Sequence, residues 1–282
     1  MLYKIANEIL SVTIDSFGAE IKSVVFKEKE RSWQNQSGEW DKTSPVLFPV
    51  CGNTSVVISG KDFNMPFHGF AKTSDFVCER ISRDEITFLL RDNEQTFAVY
   101  PFRFEWKVTY KVENDSIIIE NEIINKGTVP MPFAIGRHDS FVLDEPLDNY
   151  KLCFPSDEEF LSQQHDASGR LVNLFYDFGS QKELIIPASF LTNGQTIIFG
   201  NIKSDHLMIK TLDDRPVIKY SFNKVENLLF WRPNSSQMIC IEPWTALPDG
   251  ADESNVDFLQ KKRLIKLNES QSKRIDFIIK YY

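Results

Sequence analysis

Alternation of apolar and polar residues is the strongest signal in the chain. From Phe102 to Val112 every even-numbered residue is apolar and every odd-numbered one is polar. That period of two predicts a long antiparallel strand with one face buried. Glu113-Asn114-Asp115 has the composition of a turn, and Ser116 to Asn125 reads as the hairpin partner. A Lys126-Gly127 turn then leads into a predicted strand from Val129 to Gly136. Further strand candidates are Ile9 to Ile14, Glu20 to Phe26, Glu85 to Arg91, Leu184 to Pro187, Thr196 to Phe199, Leu207 to Leu212, Val217 to Phe222 and Arg274 to Tyr281. Helical windows are scarce: Leu147 to Leu152 and Asp257 to Lys262 predict short turns at best. The polar stretch from Phe160 to Asp177 predicts an excursion at a rim. There is no βαβ alternation, composition break or repeat. The pattern therefore predicts an all-β fold, one large antiparallel domain spanning residues 1–282 and built as two stacked sheets.

Composition narrows this picture. At 282 residues and 42% hydrophobic, the chain can bury a substantial core. Its phenylalanines recur in alternating runs and not in helical stripes, which again favours sheets. A formal charge of -8 argues against a nucleic-acid partner, because non-specific binding needs a basic surface. No apolar stretch approaches a membrane span, so no membrane partner is expected. Cys51, Cys78, Cys153 and Cys240 are widely spaced, with no C-x-x-C and no zinc-type pattern. They read as reduced, mostly buried thiols. With no apolar leader after Met1, a cytoplasmic location is expected.

Two proton-transferring side chains stand inside apolar, strand-like runs. His138 lies in Ala134-Ile135-Gly136-Arg137-His138-Asp139-Ser140-Phe141, and Glu242 in Ile239-Cys240-Ile241-Glu242-Pro243-Trp244. A carboxylate and an imidazole on rigid strands beside aromatics can supply a general base and a general acid. Pro243 holds Glu242 extended, and Trp244 beside it predicts a desolvated carboxyl of raised pKa. The competing explanation for each is structural: a glutamate paired with a buried cation, or a histidine satisfied by a carbonyl. Gly136 is read as a place where a ligand approaches the backbone. His68, between Pro66 and Gly69, sits in a shaped loop suited to a binding group or to a simple cap. His165 and His206, in polar surroundings, are read as solvated. No metal-binding, phosphate-loop, dinucleotide or nucleophile-elbow motif occurs. No metal or cofactor is expected.

Read in order, several segments resemble the aldose 1-epimerase (galactose mutarotase-like) superfamily, and within it the lactose-operon X protein subgroup. They are Ser44 to Gly52, Met65 to Ala71, Tyr100-Pro101-Phe102, Met131 to Gly136 with His138, and Cys240 to Trp244. Each motif alone is weak; their shared order carries the resemblance. It implies a β-supersandwich whose cleft opens and recloses a sugar ring without cofactor or metal. On that model Glu242 removes the anomeric hydroxyl proton, His138 protonates the ring oxygen, and His68 steadies the open form. Trp244 would face the sugar's C–H surface. Where the family usually has sugar-binding arginines, this chain has Asn53 and Lys72; Lys72 keeps the charge but loses the planar fork. The usual Gly-Gly-His-Pro is Gly136-Arg137-His138-Asp139 here. Arg137 and Asp139 point away from His138 if the strand is regular, and toward the cleft if it bulges. Asp249, Asp213 and Asp214 are candidates for the family's sugar-binding aspartate.

The expected function is therefore a mutarotase acting on a small-molecule sugar, as a monomer or homodimer. A hexose-6-phosphate 1-epimerase would need a cationic pocket, to which Lys72, Arg137 and Arg232 are candidates. A non-catalytic sugar sensor would have no use for an acid–base pair. A glycoside hydrolase usually needs two carboxylates, and only Glu242 is persuasive.

Overall fold

The alternating pair at the centre of the chain forms the predicted hairpin. Strands Phe104–Glu113 and Ser116–Asn125 pair antiparallel with Glu113 opposite Ser116. Even-numbered Phe104, Trp106, Val108, Tyr110 and Val112 are all buried. The computed structural model describes residues 1–282 except Ser37, Asn193, Lys224, Ser235 and the side chain of Ala251.

Among the described residues, fifteen strands join in one antiparallel sheet that runs from Val46–Leu47 at one end to Val77–Ile81 at the other. Four N-terminal strands, Leu2–Ala6, Leu10–Asp15, Glu20–Phe26 and Lys29–Glu30, form a second sheet. This sheet packs on the central hairpin region: the Tyr3 and Phe88 rings meet edge-on at 5.5 Å, and Tyr110 Oη donates to Ala19 O at 2.6 Å. Aromatics form much of the core, with Phe48 in ring contact with Phe70, Tyr100, Phe104, Trp106 and Phe133.

Most predicted strands form, with ends shifted by a residue or two. Three departures matter. The segment predicted as a rim excursion is a long hairpin, Tyr150–His165 with Leu171–Leu184. Its strands are polar because one of them is largely exposed, so no apolar alternation marks it. The predicted strand from Val129 to Gly136 does not form as one piece: Met131–Phe133 pairs with Ile265–Leu267, whereas Gly136–Arg137 and, beyond His138, Asp139–Val142 both lie along Met238–Trp244. A short helix, Glu94–Val99, has no counterpart among the predicted elements; Asn93 caps it by accepting from Thr96 N. The four cysteines are free, but only Cys51 and Cys240 are buried. Among the described residues, no helix is long and apolar enough to cross a membrane.

Candidate active site

Strand register brings the two proton carriers together. Gly136 pairs with Trp244, and Asp139 pairs with Ile241. The two residues between on each strand, 137–138 and 242–243, therefore face each other, with His138 opposite Glu242. Side chains directly opposite on antiparallel strands are close neighbours. Here His138 Nε2 lies 3.2 Å from Glu242 Oε1.

On its other side, strand Met238–Trp244 pairs with Asn227–Trp231, which sets Leu229 opposite Glu242 and Trp231 opposite Cys240. One face of these strands lines a cavity of about 590 Å³, a size typical of small-molecule sites. Trp40, Trp231, Trp244 and Phe67 supply much of its wall. The His138 ring lies 5.0 Å from Trp40, 5.6 Å from Trp231 and 6.0 Å from His68. His68 in turn meets Trp244 edge-on at 5.2 Å.

This apolar enclosure governs protonation. Burial lowers His138 to about 4, with Asp139 partly opposing the shift. Burial also raises the Glu242 carboxyl well above its ordinary value, helped by the Asp139 charge. Both groups are thus driven toward their uncharged forms. His138 Nδ1 and Glu242 Oε1 are buried without hydrogen-bond partners. Such orphaned polar atoms are rare and cluster where a protein binds or reacts.

His68 reaches the cavity through a strained loop. It adopts a left-handed φ of 65° and is followed by Gly69 at 74°. A side chain on Gly69 would lie 2.1 Å from Phe48 O, so glycine alone fits there. A reciprocal clasp holds the imidazole: His68 N donates to Gly52 O at 3.0 Å, and Gly52 N donates to His68 Nδ1 at 2.9 Å. Because Nδ1 accepts, the neutral ring carries its proton on Nε2 and has a donor to offer. Burial and the nearby His138 and Lys72 hold His68 well below the ordinary histidine value, which keeps it neutral.

The other predicted site residues divide. Lys72 and Trp244 line the cavity. Asn53 does not; its Nδ2 ties down the tip of the long hairpin by donating to Ser168 O at 2.8 Å. Arg137 is a correction: the strand stays regular there, and the guanidinium points into the core with 1% exposure. It binds both Asp139 oxygens and donates to Tyr110 Oη, while Tyr220 Oη donates to Asp139 Oδ2. Asp249 is a second correction. Its carboxylate is fully buried, accepts from Lys261 Nζ at 2.6 Å and Ser55 N at 2.8 Å, and also meets Arg263. Asp213 and Asp214 lie outside the cavity, accepting from Thr211 and Lys151 respectively. Arg232 donates to the Leu191, Ser236 and Ala188 carbonyls and is likewise absent from the lining. Gly136 makes room for protein and not for ligand: a side chain there would meet Trp244 Cδ1 at 2.6 Å and Cys51 Sγ at 2.9 Å. His165, read as solvated, lines the cavity beside the hairpin tip.

Trp40, Lys42 and Trp231 also line it and were not anticipated. Trp231 was within reach of pattern reading, since Asn227 to Trp231 is an apolar run beside the Glu242 strand. Trp40 and Lys42 sit in an irregular segment without periodicity. Among the described residues, no group of three His, Cys, Asp or Glu is placed to hold a metal ion.

A family model described as aldose 1-epimerase matches residues 1–272. The chain belongs to the aldose 1-epimerase family. A curated relative, the chromosomal protein LacX of Lactococcus lactis subsp. lactis, is 27% identical over 96% of this chain and 97% of its own length. A galactose mutarotase related enzyme from Lactobacillus acidophilus superposes with a TM-score of 0.91 at 26% identity, covering 100% of this chain and 97% of that one. A galactose mutarotase-like protein from Lactobacillus casei gives the same TM-score of 0.91 at 23% identity, over 100% of both chains. The architecture is therefore the galactose mutarotase-like β-sandwich. Membership in the aldose 1-epimerase family assigns the chain a sugar-epimerase kind of activity, within the isomerases.

Removing the Arg137 charge strands Asp139 in the core behind the site. Arg137→Met is expected to cost about 3–5 kcal/mol of stability, measured by urea denaturation. A loss under about 1 kcal/mol would show that the pair is not a buried, mutually compensating one.

Proposed function

We propose that this chain is a cofactor-independent aldose 1-epimerase, or mutarotase. It interconverts the α and β anomers of a free aldose or a related sugar by acid–base ring opening. The observation that carries this reading is the His138–Glu242 pair, 3.2 Å apart in a sugar-sized cavity, with burial favouring the uncharged form of each.

An imidazole beside a carboxylic acid holds the same number of protons as an imidazolium beside a carboxylate. The pair interconverts these forms by moving one proton across a hydrogen-bond distance. In the ionic form, Glu242 takes the proton of the anomeric hydroxyl as C1 becomes a carbonyl and the C1–O5 bond breaks. His138 gives its proton to O5. The pair is then uncharged, the form its apolar surroundings favour. After rotation about C1–C2, ring closure runs these steps backward on the other face of the carbonyl. Protons balance over the cycle, and no hydride or electron is transferred. His68 Nε2–H is the donor for the ring oxygen or a neighbouring hydroxyl, and Trp244 offers an apolar surface to the sugar's C–H face.

Glu242→Gln is expected to slow anomer exchange by about 10²–10⁴-fold, the usual worth of a positioned acid–base group. Sugar affinity should change little. Exchange NMR on a panel of aldoses reads the rate, and an unaltered rate would remove Glu242 from its role as the base.

The pH profile follows from the pair's proton count. Activity needs one shared proton between the two groups. As pH falls toward about 4, His138 gains a second proton while Glu242 keeps its own, and kcat/KM drops. As pH rises through the raised Glu242 value, the pair loses its proton and kcat/KM drops again. An acid limb at the ordinary histidine value of 6.5 would contradict the assignment.

A further inference from the structure

We propose that His165, at the tip of the long hairpin Tyr150–His165 and Leu171–Leu184, reads a sugar hydroxyl remote from the anomeric carbon, accepting a hydrogen bond from it at Nε2. The inference rests on the epimerase reading above and adds a specificity-determining residue to it.

Three observations carry it. First, His165 lines the same cavity as His68, His138 and Glu242, together with Ser168 and Gly169 of the hairpin turn. Second, its Nδ1 lies 2.9 Å from Asp166 O. A carbonyl oxygen only accepts, so Nδ1 carries the proton, and the neutral ring keeps its lone pair on Nε2. Among the described residues that nitrogen has no hydrogen-bond partner. Third, the turn that carries His165 is fixed from several sides. Asn53 Nδ2 donates to Ser168 O at 2.8 Å, Arg170 Nη2 to Ser55 Oγ at 2.9 Å, and Leu171 N to Asp249 O at 2.9 Å. Within the turn, Asp166 Oδ1 accepts from Ser168 N at 2.8 Å and Arg170 N at 3.1 Å. A group held in this way binds with little ordering left to do.

Position and polarity then select what His165 meets. Gly169 of the turn lies on Phe67, since a side chain there would come within 2.8 Å of Phe67 Cε2. The Phe67 ring is 4.1 Å from His68, and His68 is 6.0 Å from His138. Contacts therefore run from the proton pair through His68 and Phe67 to the hairpin tip. A sugar with its anomeric hydroxyl at Glu242 and its ring oxygen at His138 turns a different edge toward that tip. Every sugar hydroxyl brings a proton that needs an acceptor. The tryptophan and lysine side chains of the lining only donate, His68 offers Nε2–H, and Glu242 is engaged in proton transfer. His165 supplies an acceptor where the rest of the wall is rich in donors. The two loop histidines thus present opposite polarities, set by the backbone group each engages. Gly52 N donates to His68 Nδ1, whereas Asp166 O accepts from His165 Nδ1.

The test is exchange NMR on the full-length protein, with the aldose it exchanges fastest and the deoxy analogues of that aldose, one hydroxyl removed at a time. His165→Phe keeps a ring and removes the acceptor. It is expected to lower kcat/KM for the parent sugar by about tenfold, the worth of one hydrogen bond, mainly through KM. One analogue, lacking the hydroxyl that His165 reads, should be exchanged about tenfold more slowly than the parent by the wild-type protein. On that analogue His165→Phe should cause no further loss, the mark of a direct pairing. His165→Gln, whose amide oxygen can take the place of Nε2, should recover part of the parent-sugar rate. Wild-type protein that exchanges every analogue as fast as the parent would overturn the contact without any variant. So would a loss in His165→Phe that is equal on all the sugars or falls on kcat alone. Exchange of no sugar would overturn the epimerase reading instead. Titration calorimetry with the same sugars then decides the contact alone, and equal affinities of wild type and His165→Phe would reject it.

Discussion

The site depends on one register. With Gly136 opposite Trp244 and Asp139 opposite Ile241, His138 must face Glu242. A slip of one residue would turn His138 into the core and present a neighbouring charge to the cavity. Several contacts oppose that slip. Arg137 and Asp139 are locked together on the far face by Tyr110 and Tyr220. Trp244 Nε1 donates to Arg137 O at 3.2 Å, and the absence of a side chain at Gly136 lets the indole lie against the strand. The buried ion pair behind the site is thus part of how the site is made. It does not touch the cavity, yet it fixes which residues do, and the Asp139 charge bears on both His138 and Glu242.

Enclosure by aromatic side chains supplies the chemistry. Glu242 and His138 are ordinary acid–base groups made unusual by exclusion of water, which disfavours charge on either. The arrangement costs stability. Two buried polar atoms lack partners, at about 1–3 kcal/mol each, and His68 holds a left-handed backbone conformation that non-glycine residues disfavour. Such costs concentrated within one cavity distinguish a working site from a packed core. The fold offsets them elsewhere, in the continuous apolar layer around Phe48 and Trp106 and in the long antiparallel ladders.

Much of this was legible in the sequence, for a physical reason. Strands with one wet face write their geometry as alternation, so Phe102 to Val112 and its partner could be read almost residue by residue. Glu242 and His138 stood out because a charge-bearing group inside an apolar run demands an explanation. The long hairpin beyond Tyr150 was missed because one strand is largely solvated and carries no burial pattern. Arg137 and Asp249 looked like ligand-binding groups because a sequence lists charges without their partners; only the fold shows Asp139 beside the one and Lys261 beside the other. Trp40 and Lys42 belong to an irregular segment, and irregular chain has no period from which a direction can be inferred.

Burial in this cavity favours the protonated Glu242 carboxyl where exposed glutamates are ionised, ready to trade that proton with His138. Carbon-13 NMR of carboxyl-labelled glutamate, with Glu242→Gln to assign the resonance, reads this directly. Glu242 is expected to titrate well above the ordinary 4.5, and its signal is expected to move when a sugar substrate is added. A carboxyl that titrates at the ordinary value and ignores the sugar would contradict it.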